Sequence, residues 1–339
     1  MLPGLVRSVR MPCPFGRPRR QSSRTSRHYL ALATAAAAPL TLSSLAFSGQ
    51  NPAAKRQRAR CGPILQCCAA CEEGQATPES LGHLRINFCG RPAKGYTPIF
   101  YDDPTVNTAS VNAGDYNLYV GGGAINLAFA KELDLPRTNK YQDLHKVLLS
   151  AAHRTPGQLL SSSEVQTDNL QAELGLLASF VRVPARPAHS EPDAVGAAFL
   201  HIFGPQLRPR SVKNVAMLYV VGPKGTGASG GHGPTMDSNA AFLQKVEEMA
   251  ANALLAVAEY NALLGKDTHA GLPRVEEVQF CLVSGGVYMH PESSKVDVAA
   301  AIVRGLWHGA EVAEAPAVRF AYDSSSFEDA VARVARQSL

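Results

Sequence analysis

Residues 111–123 read Val-Asn-Ala-Gly-Asp-Tyr-Asn-Leu-Tyr-Val-Gly-Gly-Gly, and residues 281–291 read Cys-Leu-Val-Ser-Gly-Gly-Val-Tyr-Met-His-Pro. Each segment follows an apolar run of strand character and leads into a stretch of helical pattern. Glycine has no Cβ, so such a turn lets the backbone approach a ligand closely. Free N–H groups at the turn, with a helix N-terminus behind them, form an anion site. In a parallel sheet both turns emerge at the carboxyl edge of the strands, where ligands bind. Two of them facing one crevice would hold a diphosphate. Neither turn is specific alone, since a tight structural turn has the same composition. Neither is a dinucleotide fingerprint, because no G-x-G-x-x-G is followed by an acid about 20 residues on. Lys224-Gly225-Thr226-Gly227 is not a Walker motif, since its lysine precedes the glycines.

Outward from these turns the body alternates strands and helices. Residues 84–88 and 97–101 have short-strand character, and residues 110–112 end a third strand. Residues 123–133 (GAINLAFAKEL) predict a helix. A further helix is expected within residues 159–180, followed by a proline-rich stretch at 181–193. Residues 215–221 (VAMLYVV) form an unbroken apolar run, as in a strand buried on both faces, and a glycine-rich loop follows at 222–234. Residues 237–264 carry the strongest helical stripe, through Phe242, Val246, Met249, Ala253, Val257, Tyr260 and Leu264. Asp237 or Ser238 can cap its start and Gly265 ends it. Residues 278–284 predict a buried strand, 294–306 a helix, 318–322 a strand and 327–337 a closing helix. Ser325 and Glu328 have capping-box spacing before that last helix. The order predicts an α/β class: a three-layer α/β/α sandwich with a mixed, largely parallel sheet.

Charge divides the 339-residue chain. Residues 1–71 carry ten Arg, one Lys and no acid, whereas the rest has 22 basic against 28 acidic residues, a net of −6. An acidic body argues against a general nucleic-acid binder, which needs a basic face to release phosphate counterions. The Arg-rich, Ser-rich arm, taken as residues 1–80, has the composition of a targeting extension, with a disordered basic tail as the alternative. Residues 29–48 are apolar but interrupted by Pro39 and rich in Ala, Ser and Thr, so they make a weak anchor or signal core. The expected location is organellar, mitochondrion or plastid, after removal of a transit peptide. A cytoplasmic or membrane-anchored protein is the alternative, with membrane contact only if residues 29–48 are retained. Cys61, Cys67, Cys68 and Cys71 crowd one run without a histidine pair, which is poor metal-ligand spacing, and no metal or cofactor is expected. Cys89 and Cys281 sit in apolar contexts and are expected to be buried.

The first turn resembles the macro-domain signature "Val-Asn-Ala-Ala-Asn, two, Leu, a few, Gly-Gly-Gly", and the second resembles its partner "Ile-Ser-Thr-Gly-Ile-Tyr-Gly-x-Pro". Between them, Leu218 to Pro223 looks like "His-Thr-Val-Gly-Pro", and Val318 to Asp323 looks like the family's last strand. The resemblance covers residues 83–337, with a poorly matching insertion at 137–210. It implies ADP-ribose, or ADP-ribosylated protein, as the ligand. By this resemblance Asn112 supports the first loop, Asp115 lies beside the distal ribose, and Gly121, Gly122 and Gly123 wrap the distal ribose and diphosphate. Ser284, Gly285, Gly286, Val287 and Tyr288 form the second phosphate loop through backbone N–H groups. Tyr322 or Phe320 stacks near the adenosine, and Asp102 or Asp103 reads the adenine.

The departures bear on activity. The family's second signature Asn is Asp115 here. The Asp that follows the glycine triplet in MacroD-type hydrolases, which remove ADP-ribose from acidic side chains, is Ile125. Three functions therefore stay open. The first is ADP-ribose binding without turnover. The second is hydrolysis (de-ADP-ribosylation, or deacetylation of O-acetyl-ADP-ribose) with Asp115 and Asn112 as catalytic residues. The third is a non-catalytic interaction scaffold. His290 flanks the second loop and is expected to be a solvated side chain rather than an acid or base.

Overall fold

A computed structural model of the chain describes residues 79–88, 99–101, 103–135, 140–155, 157–161, 170–184, 193–228, 231–265, 269, 271–321 and 323–337. The arm with its four crowded cysteines, residues 29–48, Cys89, Asp102 and Tyr322 lie outside them.

The central strands form where apolar runs are longest. β3 (Thr108–Gly114) and β7 (Asn214–Val221) pair in parallel, and every residue of β7 is buried. β10 (Glu277–Phe280) pairs in parallel with β3 on its other side, β11 (Ala317–Phe320) with β10, and β2 (Leu84–Phe88) with β11. β1 (Glu79–Leu81) closes that edge antiparallel. On the opposite wing β6 (Ala198–Phe203), β5 (Leu176–Arg182) and β4 (Leu159–Ser161) continue outward from β7, each antiparallel to its neighbour. Among the described residues the sheet has nine strands in the order β1-β2-β11-β10-β3-β7-β6-β5-β4. The fold is thus α/β with a mixed, mostly parallel sheet.

Strand alternation divides the core into two layers. Ala216, Leu218 and Val220 of β7 pack with α4 (Asn239–Leu263), α5 (Lys295–Val312) and α6 (Ser324–Gln337). Met217, Tyr219 and Val221 point the other way, into a cluster with α1 (Ala124–Glu132), α2 (Lys140–Arg154) and α3 (Leu170–Glu173). α4 starts at Ser238, whose hydroxyl accepts the Ala241 N–H at 3.2 Å. α5 carries a capping box of Ser294 and Asp297, which with Arg333 holds the Asp297 carboxyl down at about 2. α4 and α5 approach at Gly305, where a Cβ would lie 2.1 Å from the Glu247 carbonyl oxygen.

Four predicted elements differ. Residues 99–101 are not in a strand. Residues 159–180 hold strands β4 and the start of β5 around the four-residue α3, not a long helix. β10 ends at Phe280 because the Val283 N–H folds back onto the Cys281 carbonyl at 2.8 Å, so residues 281–284 belong to the turn. Ser325 lies inside α6, whose entry is shaped instead by Asp323, which accepts the Ser326 hydroxyl at 2.9 Å. The 137–210 segment contributes α2, β4, α3, β5 and β6, with three strands continuous with the central sheet. A separate two-stranded pair, β8 (Lys224–Gly225) with β9 (Thr235–Met236), brackets the glycine-rich loop after β7.

Candidate functional site

Because β3 and β10 are adjacent and parallel, the turns that follow them leave the same edge of the sheet. Between the turns lies a crevice of about 600 Å³. Gly122 and Gly123 border it from the first loop, and Ser284, Gly285, Gly286, Val287 and Tyr288 from the second. A Cβ on Gly123 or Gly286 would meet nothing within 4 Å, so at both positions the backbone faces open space.

The first loop is held from behind. Asn112 is fully buried and donates to the Asn126 carboxamide oxygen at 3.1 Å. Asn126 donates to the Tyr119 carbonyl at 2.9 Å, and its oxygen also receives the Gly121 N–H at 3.4 Å. Asn112 thus sits behind the loop, and Asn126, on α1, borders the crevice. Tyr219 on β7 accepts the Asp115 N–H at 2.9 Å and donates to the Asp115 carbonyl at 3.1 Å. Its ring fills the place of a residue-114 side chain: a Cβ there would lie 2.2 Å from Cζ. That explains why Gly114 stands where the macro-domain motif has Ala. Burial pushes the Tyr219 phenol well up, so it acts as an uncharged donor and acceptor.

Asp115 joins the two loops. One carboxylate oxygen accepts the Asn117 N–H at 2.8 Å, and the other accepts the Tyr288 hydroxyl at 2.9 Å. Burial first, then the Asp115 carboxylate, raises the Tyr288 phenol, so it remains a donor at neutral pH. His232 Nδ1 lies 3.8 Å from the first of those oxygens. Gly231 and His232 add a wall that the sequence does not assign to the site. The signal is in the glycines. Gly231 and Gly233 both have positive φ, and a Cβ on either would enter the ring of Tyr288 or Tyr116, at 2.2 and 2.5 Å. Lys295 and Asp323, paired at 2.6 Å, also border the crevice.

Ser284 has φ of 60° and donates to the Pro223 carbonyl at 2.8 Å, which ties the second loop to the end of β7. Cys281 is buried beneath the crevice, and burial pushes its thiol up to about 12. Ile125 lies in the wall and supplies no acid or base.

Other expected residues lie elsewhere. Phe320 is a core residue stacked on Phe327 at 4.0 Å. Asp103 is exposed and does not border the crevice, nor does Gly121. His290 is buried rather than solvated: the Glu292 N–H reaches its Nδ1 at 3.3 Å, and its ring leans on Phe242 at 6.0 Å. Among the described residues no group of three His, Cys, Asp or Glu side chains has metal-holding geometry, and no helix is long and apolar enough to cross a membrane.

A family model described as the Mitochondrial association factor 1 C-terminal domain matches residues 80–313. The chain belongs to that family. "DNA/RNA-binding protein ALBA4" of Plasmodium yoelii yoelii is 34% identical over 256 residues, spanning 72% of this chain and 64% of that protein. "Mitochondrial association factor 1 form b0" of Toxoplasma gondii is 29% identical over 234 residues, spanning 63% of this chain and 49% of that protein. The chain thus matches between about half and just under two thirds of the length of these relatives. Among solved structures it is similar to an Oceanobacillus iheyensis macrodomain with ADP, at 12% identity and TM-score 0.42, covering 78% of this chain and 98% of that one. It is also similar to a Trypanosoma brucei macrodomain in complex with ADP-ribose, at 14% identity and TM-score 0.34, covering 74% and 68%.

Proposed function

We propose that the chain binds ADP-ribose, free or attached to protein, in the crevice between the two glycine loops, without turning it over. The observation that carries this reading is the pair of backbone segments around Gly123 and Gly286, from adjacent parallel strands, both open toward one crevice. Its volume of about 600 Å³ falls in the range of small-ligand sites, roughly 300–1,000 Å³. Backbone N–H groups suit a diphosphate in a body whose net charge is negative. An open crevice argues against a scaffold whose pocket is closed by its own side chains.

Hydrolysis is the second reading, favoured by one observation: the Asp115 carboxylate lies in the wall with His232 at 3.8 Å. Against it, both Asp115 oxygens already accept hydrogen bonds from the protein's own loops, and Ile125 cannot activate water. Asp115 in this account braces the two loops. The name of the Toxoplasma relatives and the acid-free basic arm together support a mitochondrial association. The name of the Plasmodium relatives raises nucleic-acid binding, which the acidic body does not favour.

The test is calorimetry of ADP-ribose against the full chain and against Gly286→Val. Wild type is expected to bind in the micromolar range, about −8 kcal/mol. The valine side chain enters the open space at Gly286 and is expected to weaken binding at least about tenfold with unchanged thermal stability. Wild-type protein giving neither heat nor a thermal shift overturns the reading. Release of ADP-ribose from a modified peptide would favour the hydrolase instead.

A further inference from the structure

The first ligand loop contains Leu118 at φ 63°, a left-handed conformation that costs a non-glycine residue roughly 1–2 kcal/mol. Its N–H closes a turn on the Asp115 carbonyl at 2.9 Å. Its carbonyl points inward, where His145 Nδ1 meets it at 2.7 Å. His145 lies on α2, outside every motif of the two glycine turns, and is completely buried.

Donor and acceptor chemistry sets the direction of each bond behind the loop. A carbonyl oxygen only accepts, so His145 Nδ1 carries hydrogen. Burial holds His145 and His201 neutral, their imidazoles pushed well below the usual range. His145 Nε2 is therefore a bare acceptor, and His201 Nε2, at 2.9 Å, must donate to it. His201 Nδ1 then accepts the Ser179 hydroxyl at 2.8 Å. Ser179 Oγ accepts from Gln171 Nε2, also at 2.8 Å. One directed series thus runs from α3 through β5 and β6 to α2, and ends on the ligand loop. The His145 imidazole is fixed laterally by Phe199 and Tyr219, with ring centroids at 4.7 and 4.3 Å.

We propose that His145 is a positioning residue for ligand binding, through which the 137–210 segment holds Leu118, and with it residues 118–123, in the binding-competent conformation. It touches no ligand. Tyr219 fixes the entry of the loop by gripping both backbone groups of Asp115, and His145 fixes its turn. The segment that departs from the family resemblance is in this account the rear support of the site. The inference rests on the ADP-ribose reading only for its binding readout.

The experiment measures two quantities on the full chain: ADP-ribose affinity, and hydrogen exchange of amides 118–123. His145→Leu removes the bond to Leu118, and His145→Asn keeps a donor at the position of Nδ1. Gly305→Val destabilises the distant α4–α5 contact and serves as control. The leucine variant is expected to bind about tenfold more weakly, one hydrogen bond's worth, with faster exchange in residues 118–123. The asparagine variant should retain affinity closer to wild type, and the control should keep it. Equal affinity and exchange in His145→Leu and wild type overturn the inference, as does equal weakening in the control. Should the leucine variant fail to fold, wild-type protein decides: the His145 Nδ1–H resonance is expected to move as ADP-ribose binds, and an unmoved resonance in protein shown by calorimetry to bind overturns the inference. Wild type that binds no ADP-ribose overturns the functional reading alone, and the exchange comparison still decides whether His145 holds the loop.

Discussion

At neutral pH the folded chain buries two uncharged imidazoles that the unfolded chain would protonate near pH 6.5. His145 is held at about 4 by loss of water, partly offset by its bond to the Leu118 carbonyl. His201 is also lowered well below the usual range, by burial and then by its neighbour His145. The phenols of Tyr141 and Tyr219, which pack on His145, are pushed up and stay uncharged in acid. For a group whose folded pKa is depressed below its unfolded value by desolvation of a cation, the unfolded state binds more protons. Stability is then fully present above about 6.5 and falls as pH drops toward 4. From 6.5 to about 4 the His145 contribution is on the order of 3 kcal/mol, with a maximum slope of about 1.4 kcal/mol per pH unit. Substitution by asparagine removes that titration and leaves the rest of the chain's carboxylates and histidines in place. Urea unfolding, followed by the fluorescence of the single tryptophan, Trp307, is measured for both proteins between pH 7.5 and 4. The wild-type curve is expected to fall more steeply, the two converging by about 3 kcal/mol over that span. Parallel curves would mean that His145 takes up its proton without leaving the fold. The tautomer series drawn from its buried, neutral state would then be wrong.

Two further outcomes test the packing and the loop brace. Gly305→Val forces side-chain atoms into the space where a Cβ already lies 2.1 Å from the Glu247 carbonyl, and is expected to lower unfolding stability by about 1–3 kcal/mol in the same urea assay. Tyr288→Phe deletes the hydroxyl that reaches Asp115 at 2.9 Å. It should weaken ADP-ribose binding by about 1 kcal/mol in calorimetry while leaving far-UV circular dichroism unchanged.

The parallel centre of the sheet was legible because β3, β7 and β10 carry apolar runs that each lead into a segment containing glycines. The long stripe from Phe242 to Tyr260 identified α4 for the same reason: one face is continuously buried. The antiparallel wing was not legible. β5 and β6 are apolar runs interrupted by Ser179 and His201, which are buried, so they show neither the unbroken run that marks β7 nor a clean two-residue alternation. Leu118 and Ser284 adopt left-handed backbone without being glycine, which no residue-type rule detects. The capping role expected of Ser325 falls to Asp323 because the helix begins at Ser324, which places Ser325 inside its first turn. The Gly114–Tyr219 pair shows a different limit. Each departs from the macro-domain motif, and only their contact explains both.

How the crevice holds an anion depends on which charges reach it. Lys295 is the lysine on its rim, and its ammonium is already paired with Asp323 at 2.6 Å. A diphosphate bound there would rely on fixed N–H dipoles at the two turns, which carry no mobile counterions to release. Screening over about 10 Å at 0.1 M salt acts on exposed charges and little on such dipoles at contact distance. Raising sodium chloride from 50 to 500 mM should therefore weaken ADP-ribose binding by less than about threefold. A loss above tenfold would mean that a cation carries the affinity. Lys295→Ala would then reproduce that loss at low salt, and the backbone account of the site would fail. If Lys295→Ala binds normally and the salt effect is small, the dipoles of the loops are sufficient. The acidic net charge of the body is then no obstacle to an anionic ligand.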